Sequence, residues 1–408
     1  MSETRVAYDR PYRPWPLRAA NTLGGWVGLG ARPRLTPSAL IDAAVRAEGL
    51  SDFGPPGLEP LDVLCASIEE EARLHALGRQ ITFHRLVGVL RNRLLARAAV
   101  QRDPSIVARP LPGPIVITGL QRTGTTFLHR LIAADPGLRA LYSWEALAPV
   151  PRPGAPTGDR DPRRRQARLA EAGLRWMAPD FFAVHPVEAE APEEEVLLLD
   201  QSLLSTVPEA TLRVPSFSAW LEQQDQRPAY ETMARLLQLL QPGARWVLKT
   251  PHHLEWLDVL LDVFPDATVV MTHRDPLTTL ASFCSMVAHG RGVMSDHVDP
   301  HEIGRDWLRK VGRMTDRALA VRDARPDARF IDVAYRDLVA DPLATVQRIY
   351  ASAGVPFTPA AQAGVERVRA SQTKDRHGSH RYALADFGLS EGEVAERFSR
   401  WRERFGHA

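Results

Sequence analysis

The chemistry in this chain begins at Gly119-Leu120-Gln121-Arg122-Thr123-Gly124-Thr125-Thr126, between a short β-branched apolar run and a helical pattern. The spacing is that of GxxxxGK[ST]. In a strand–turn–helix setting such a loop becomes a cradle of backbone N–H groups for phosphate oxygens. The lysine that reaches the β and γ phosphates in nucleoside triphosphatases is missing: Thr125 stands there, and the loop's cation is Arg122. Without that lysine the contact on which triphosphate chemistry depends is lost. An arginine inside the loop points instead to a single leaving phosphate.

A second anion grip follows from Thr272-His273-Arg274-Asp275-Pro276. Asp275 is a good N-cap with Pro276 at the first helical position. Arg274 then stands at a strand end, and Ser282, eight residues on, lies about two turns into the next helix. One guanidinium and one hydroxyl there would clamp a second phosphate with charge-assisted bonds worth roughly 1.5–3 kcal/mol. Lys249 ends another apolar run, where a buried ammonium needs an anionic partner. Chemistry at such a phosphate site would also call for a proton acceptor. Three candidates stay open: Glu145, beyond the helix that follows the loop, and His253 and His252, just after Lys249-Thr250-Pro251. A histidine near a helix N-terminus has its charged form disfavoured, which suits a neutral base.

These residues need a scaffold that gathers strand ends. From about Thr36 to Gln101 the apolar spacing is helical, interrupted at Gly54-Pro55-Pro56-Gly57. After Pro114 the character alternates. Ile115–Thr118, Trp246–Lys249, Thr268–Thr272 and Phe330–Val333 read as buried strands, each followed by a helical stretch. The pattern predicts an α/β fold: a P-loop-type parallel sheet flanked by helices, with a helical N-terminal region and helical insertions. Residues 1–110 would pack on a core domain spanning 111–408, with an insert at about 150–240. Ligands would sit at the carboxyl edge of the sheet.

The loop resembles the phosphosulfate-binding loop of the sulfotransferase family, which reads (K/R)(S/T)GTT, and the Arg274…Ser282 spacing is similar to that family's grip on a 3′-phosphate. Trp144-Glu145, Lys249-Thr250-Pro251-His252-His253-Leu254 and His380-Arg381-Tyr382 with Asp386-Phe387-Gly388 look like its mostly bacterial branch. The resemblance implies transfer of a sulfuryl group from 3′-phosphoadenosine 5′-phosphosulfate (PAPS, a co-substrate) to an acceptor hydroxyl, with no metal required. Arg122, Thr123, Gly124, Thr125 and Thr126 would hold the 5′-phosphate, Arg274 and Ser282 the 3′-phosphate, and Lys249 the sulfonate or leaving phosphate. Arg381, in a basic segment with Lys374, Arg376 and His380, would close over the 3′-phosphate. Two alternatives use the same loop: an ATP-dependent small-molecule kinase and a non-catalytic nucleotide-binding protein.

Composition narrows the setting. With 51 basic and 49 acidic residues the net charge is +2, so nothing global argues for nucleic acid. Cys65 and Cys284 are the two cysteines; they fit a reducing compartment and form neither a disulfide framework nor a zinc motif. Arg5, Arg10, Arg13 and Arg18 precede a mildly apolar stretch at 19–31, read as a packing arm, with weak docking on a membrane surface as its alternative. It lacks the features of a signal peptide, and no run reaches the ~20 apolar residues of a spanning helix. The location expected is therefore cytoplasmic. Glu188, Glu190, Glu193, Glu194 and Glu195 read as a helix N-terminus rich in carboxylates, the run at Arg160, Arg163, Arg164 and Arg165 as a solvated or disordered face, and His185 has no zinc-site spacing. Trp144, Phe181, Phe182, Phe217 and Trp220 lean toward a partly apolar small-molecule or lipid acceptor. Oligomeric state is not readable.

Overall fold

The computed structural model describes residues 8, 11–27, 33–241, 243–371 and 382–406. Five strands form one parallel sheet: β1 (Ile115–Gly119), β2 (Arg139–Ala140), β3 (Trp246–Lys249), β4 (Thr268–His273) and β5 (Arg329–Ala334), in the order β2-β3-β1-β4-β5. All of β1, β3 and β4 is buried. That is why these segments read as continuous apolar runs: helices cover both faces of a parallel sheet. Alternate residues feed opposite layers. Val116, Leu248 and Met271 join Leu40, Leu64 and Leu90 of the N-terminal helices and Phe217 and Tyr230 of the insertion. Ile115, Ile117 and Val270 face Leu128, Leu131, Val346 and Tyr350. The N-terminal helices thus share one core with the sheet.

Strand order places the chemistry. β1 lies between β3 and β4, with Ile117 opposite Lys249 and Gly119 opposite Thr272. The chain leaves β1 toward β2 and β3 on one side and β4 and β5 on the other, opening a crevice at the carboxyl end of β1. At that end the strands run into the phosphate loop, into Thr250 and into Arg274.

Several expectations are refined. The two-residue β2 is too short to leave a pattern and exists through pairing with Trp246 and Val247. The segment after Pro251 is a 3₁₀ turn, Pro251–Glu255, before the helix Leu257–Val263. The arginine run is ordered and partly solvated: Arg160 ends a short 3₁₀ turn, and Arg163, Arg164 and Arg165 open the helix Pro162–Met177, capped by Asp161, with Arg160 and Arg165 exposed. At the N-terminus, the helix Trp15–Val27 is anchored by Arg13, which pairs with Asp296 and donates to the carbonyls of Gly292 and Ser295. Among the described residues no helix is long and apolar enough to cross a membrane.

Candidate functional site

The loop after β1 takes its shape from two positive φ angles, at Arg122 (69°) and Gly124 (88°). A non-glycine residue in the left-handed region is uncommon and tends to mark a functional turn. Alternating backbone of this kind turns successive N–H groups inward, as an anion nest requires. Gly119 is needed for a different reason: a Cβ there would stand 2.3 Å from Thr272 Oγ1. The Thr123 hydroxyl donates to the Leu120 carbonyl (2.6 Å) and lies 2.5 Å from Thr272 Oγ1. It therefore holds the loop against β4, which leaves the Thr123 backbone N–H as the group facing the cradle. Thr125 is buried, and Thr126 and Arg122 are exposed at the helix start.

Arg274 meets this loop directly. Its guanidinium donates to the Arg122 carbonyl (3.4 Å) and sits 4.4 Å from the centroid of the Tyr335 ring. Arg274 therefore lies against the backbone of the Arg122 loop, while the Arg122 side chain itself turns to the Val184 carbonyl. Asp275 accepts from the Leu277 N–H (3.1 Å) and pairs with Arg402 (3.3 Å), so its carboxylate is committed to capping. Ser282 is fully buried on the helix Pro276–Met294, and its hydroxyl has no hydrogen-bond partner among the described residues. A buried orphan hydroxyl is costly unless a ligand completes it. An orphan hydroxyl eight residues beyond Arg274 is a group that a phosphate oxygen would satisfy. Arg381, with Lys374, Arg376 and His380, lies outside the described residues.

The three candidate bases fare differently. One oxygen of Glu145 is ion-paired with Arg139, and the other accepts from the Tyr142 N–H (3.2 Å), capping its own short helix. Both sides of His253 are engaged: Nδ1 lies 2.8 Å from the Tyr230 hydroxyl and Nε2 2.7 Å from Glu195 Oε1, all three side chains fully buried. His252 places Nδ1 3.1 Å from the Thr206 hydroxyl and stacks on Trp256 (4.4 Å). Its Nε2 is buried without a hydrogen-bond partner among the described residues. Burial, reinforced by His253 and Lys310, holds this imidazole well below its usual range and hence neutral. Its neighbours belong to the helical layers rather than to the phosphate loop.

A carboxylate outside these three, Glu194, lies beside Lys249 at the end of β3. Lys249 is ion-paired with Glu194, whose other oxygen accepts from the Thr250 hydroxyl (3.1 Å). Burial would raise the Glu194 carboxyl, but the Lys249 ammonium overrides it and keeps the group below the ordinary carboxylate range. Neighbouring Glu193 is pushed up by burial. Environments that drive adjacent carboxyls apart are a hallmark of acid–base sites. His185 completes the group: burial and the Lys249 and Arg122 charges lower it, against the pull of Glu194. Arg122 reaches the same place, donating to the Val184 carbonyl (3.3 Å).

The glutamates therefore do more than the helix-terminus reading allowed. Glu195 does precede the short helix Val196–Leu199, yet its oxygens serve His253 and the Lys249 N–H (2.6 Å). One signal was available: a strand-end lysine requires an anion, and the glutamates are the chain's own supply. Of the aromatics, Phe217 is core and Trp220 packs against it. Trp144 is buried under Arg163 and Arg164. Phe181 remains near the site, its ring 5.8 Å from His185.

Comparison with known proteins bears on this arrangement. The family model described as Sulfotransferase family matches residues 114–359. Sulfotransferase STF1 from Mycobacterium tuberculosis superposes with a TM-score of 0.79 at 37% identity, over 90% of this chain and 100% of that one. Sulfotransferase STF9 from Mycobacterium avium gives 0.82 at 26% identity, over 91% and 96%. The omega-hydroxy-beta-dihydromenaquinone-9 sulfotransferase Stf3 of Mycobacterium tuberculosis is 26% identical over 285 residues, 62% of this chain and 64% of that protein. The chain thus spans a little under two thirds of that relative's length.

Proposed function

Since the chain belongs to the sulfotransferase family, we propose that it transfers a sulfuryl group from PAPS to the hydroxyl of a small, lipid-like alcohol. The observation that carries the donor reading is the meeting of Arg274 with the Arg122 loop on adjacent strands. Two cationic grips on one crevice suit a nucleotide phosphorylated at both ends. Backbone N–H groups of Thr123, Gly124 and Thr125 hold the 5′-phosphate, and Arg274 and Ser282 the 3′-phosphate.

Glu194 is the base in this reading. Lys249 moves from Glu194 to the sulfonate when the donor binds, and the released carboxylate takes the acceptor's proton. As the acceptor oxygen bonds to sulfur, the S–O bond to the phosphate breaks and its electron pair leaves on the 5′-phosphate. Arg122 neutralises that charge, the role for which fixed cations are most effective. The alcohol is argued from Phe181 beside His185 and from the Stf3 relative, which is named for a hydroxylated menaquinone. A cytoplasmic setting is part of the reading, supported by two free, buried cysteines whose thiols burial pushes up to about 12.

The kinase alternative needs a metal-binding carboxylate beside the loop, and Asp275 is spent on its cap and on Arg402. Calorimetry with adenosine 3′,5′-bisphosphate and with ATP, each with and without Mg²⁺, separates the two. Metal-independent preference for the bisphosphate is expected; Mg²⁺-dependent preference for ATP would replace this proposal with the kinase. Labelled-sulfate transfer to a panel of lipid alcohols then tests the acceptor.

A further inference from the structure

Four large apolar side chains stand in the open on two neighbouring elements: Tyr12 (57% exposed) and Trp15 (74%) of the N-terminal arm, and Leu169 (65%) and Trp176 (54%) of the helix Pro162–Met177. The elements meet at a narrow crevice lined by Tyr12, Leu17, Leu77, Met177, Phe181 and Val293. On the helix, Arg165, Leu169, Ala172 and Trp176 recur at spacings of three and four and are all exposed, forming one outward stripe. The helix buries only Ala167 fully; of its five arginines, Arg163, Arg164, Arg168 and Arg175 form ion pairs with Asp161, Glu190 and Glu171, while Arg165 lies exposed on the stripe. An apolar stripe bordered by arginines and facing away from the core does nothing for the core.

We propose that this face docks on an anionic lipid bilayer, and that the crevice beside it is where the tail of the acceptor leaves the site. Trp, Tyr and Leu amid arginines are the composition that lies at a lipid headgroup boundary. Phe181 lies between crevice and site: it lines the one, and its ring neighbours His185, which shares the electrostatic field of Arg122, Lys249 and Glu194. A lipid alcohol could then present its hydroxyl to Glu194 while its apolar remainder stays in the membrane. A second copy of the chain is the rival occupant, and self-association in the test below separates it from a bilayer. The tail's path rests on the lipid-alcohol reading above; the docking face does not.

Co-sedimentation with acceptor-free vesicles tests the face by itself. Binding is expected to phosphatidylcholine vesicles containing phosphatidylglycerol, to be weak to phosphatidylcholine alone, and to fall in high salt. Trp176→Ser and Leu169→Ser should each lower partitioning about tenfold or more, as burial of such side chains implies, and Arg165→Gln about fivefold. Unchanged affinity for adenosine 3′,5′-bisphosphate shows that each variant is folded, and keeps this test separate from that of sulfuryl transfer. The proposal is overturned if the wild-type protein stays in the supernatant at low salt. Wild-type partitioning of Trp176→Ser would overturn it too, as would self-association that Trp176→Ser abolishes, which would give the face to a second copy.

Discussion

Replacing Ser282 by alanine should have opposite effects on the free and the ligand-bound protein. In the free protein the hydroxyl is buried and lacks a partner, so its removal forfeits no hydrogen bond and relieves a desolvation penalty. The melting temperature should hold or rise by about 2 °C or less. In the complex, the same hydroxyl would donate to a phosphate oxygen. A hydrogen bond to a charged group contributes roughly 1.5–3 kcal/mol, and at 1.4 kcal/mol per decade the dissociation constant should rise about 10- to 100-fold. Calorimetry with adenosine 3′,5′-bisphosphate reads this, and adenosine 5′-phosphate is the control. The loss should appear with the first ligand and vanish with the second, which offers nothing to Ser282. Equal losses with both ligands, or no loss with either, would refute the assignment. A melting point lowered by several degrees would show that the hydroxyl already has work in the free protein.

Arg122→Ala and Lys249→Ala should each lower turnover by about two orders of magnitude at saturating donor and acceptor, the scale set by losing a transition-state charge partner. Near-normal turnover in steady-state assays of either would remove that residue from the mechanism. Glu194→Gln should cost a similar factor, about 100-fold, with the loss in kcat rather than in donor affinity. Because Lys249 depresses the Glu194 carboxyl in the free protein, the base stays ionised until pH falls through a value below the ordinary carboxylate range. The acid limb of the wild-type kcat/KM profile should therefore lie below that range, and a limb near neutrality would point to a histidine instead. Tyr230→Phe strips His253 Nδ1 of its partner inside a fully buried triad. Urea titration should show a loss of about 1–3 kcal/mol with bisphosphate affinity unchanged, whereas a selective loss of activity would restore His253 as a candidate base.

The parts of the site that could be read from the chain are those whose local chemistry is self-sufficient. The phosphate loop announces itself through spacing and through the strand and helix on either side. Arg274 is legible because Asp275-Pro276 dates the helix start to within a residue. Strand order is not local, and neither is the choice of base. Glu145, His252 and His253 all had plausible positions along the chain. Only packing reveals that Glu145 is tied to Arg139, that His253 is held between Tyr230 and Glu195, and that His252 turns toward Thr206 and Trp256. The pairing of Glu194 with Lys249 could not be read because five glutamates close together resemble a helix terminus, and their sorting depends on a lysine 55 residues away in the chain. Strand β2 was invisible for a related reason: two residues have no period.

The pairing of Gly119 with Thr272 across β1 and β4 has a further consequence. Neighbouring parallel strands are spaced by their backbone hydrogen bonds at about 4.8 Å, and one of the two arginines follows each strand. If the proposed donor spans these two arginines, the gauge against which it is measured is main chain, locked where Thr123 touches Thr272 and where Gly119 admits no Cβ. Side-chain changes can loosen either jaw, but they leave the span between the jaws unaltered. Drift in the acceptor can therefore proceed through the helical layers while the donor's dimensions are inherited unchanged.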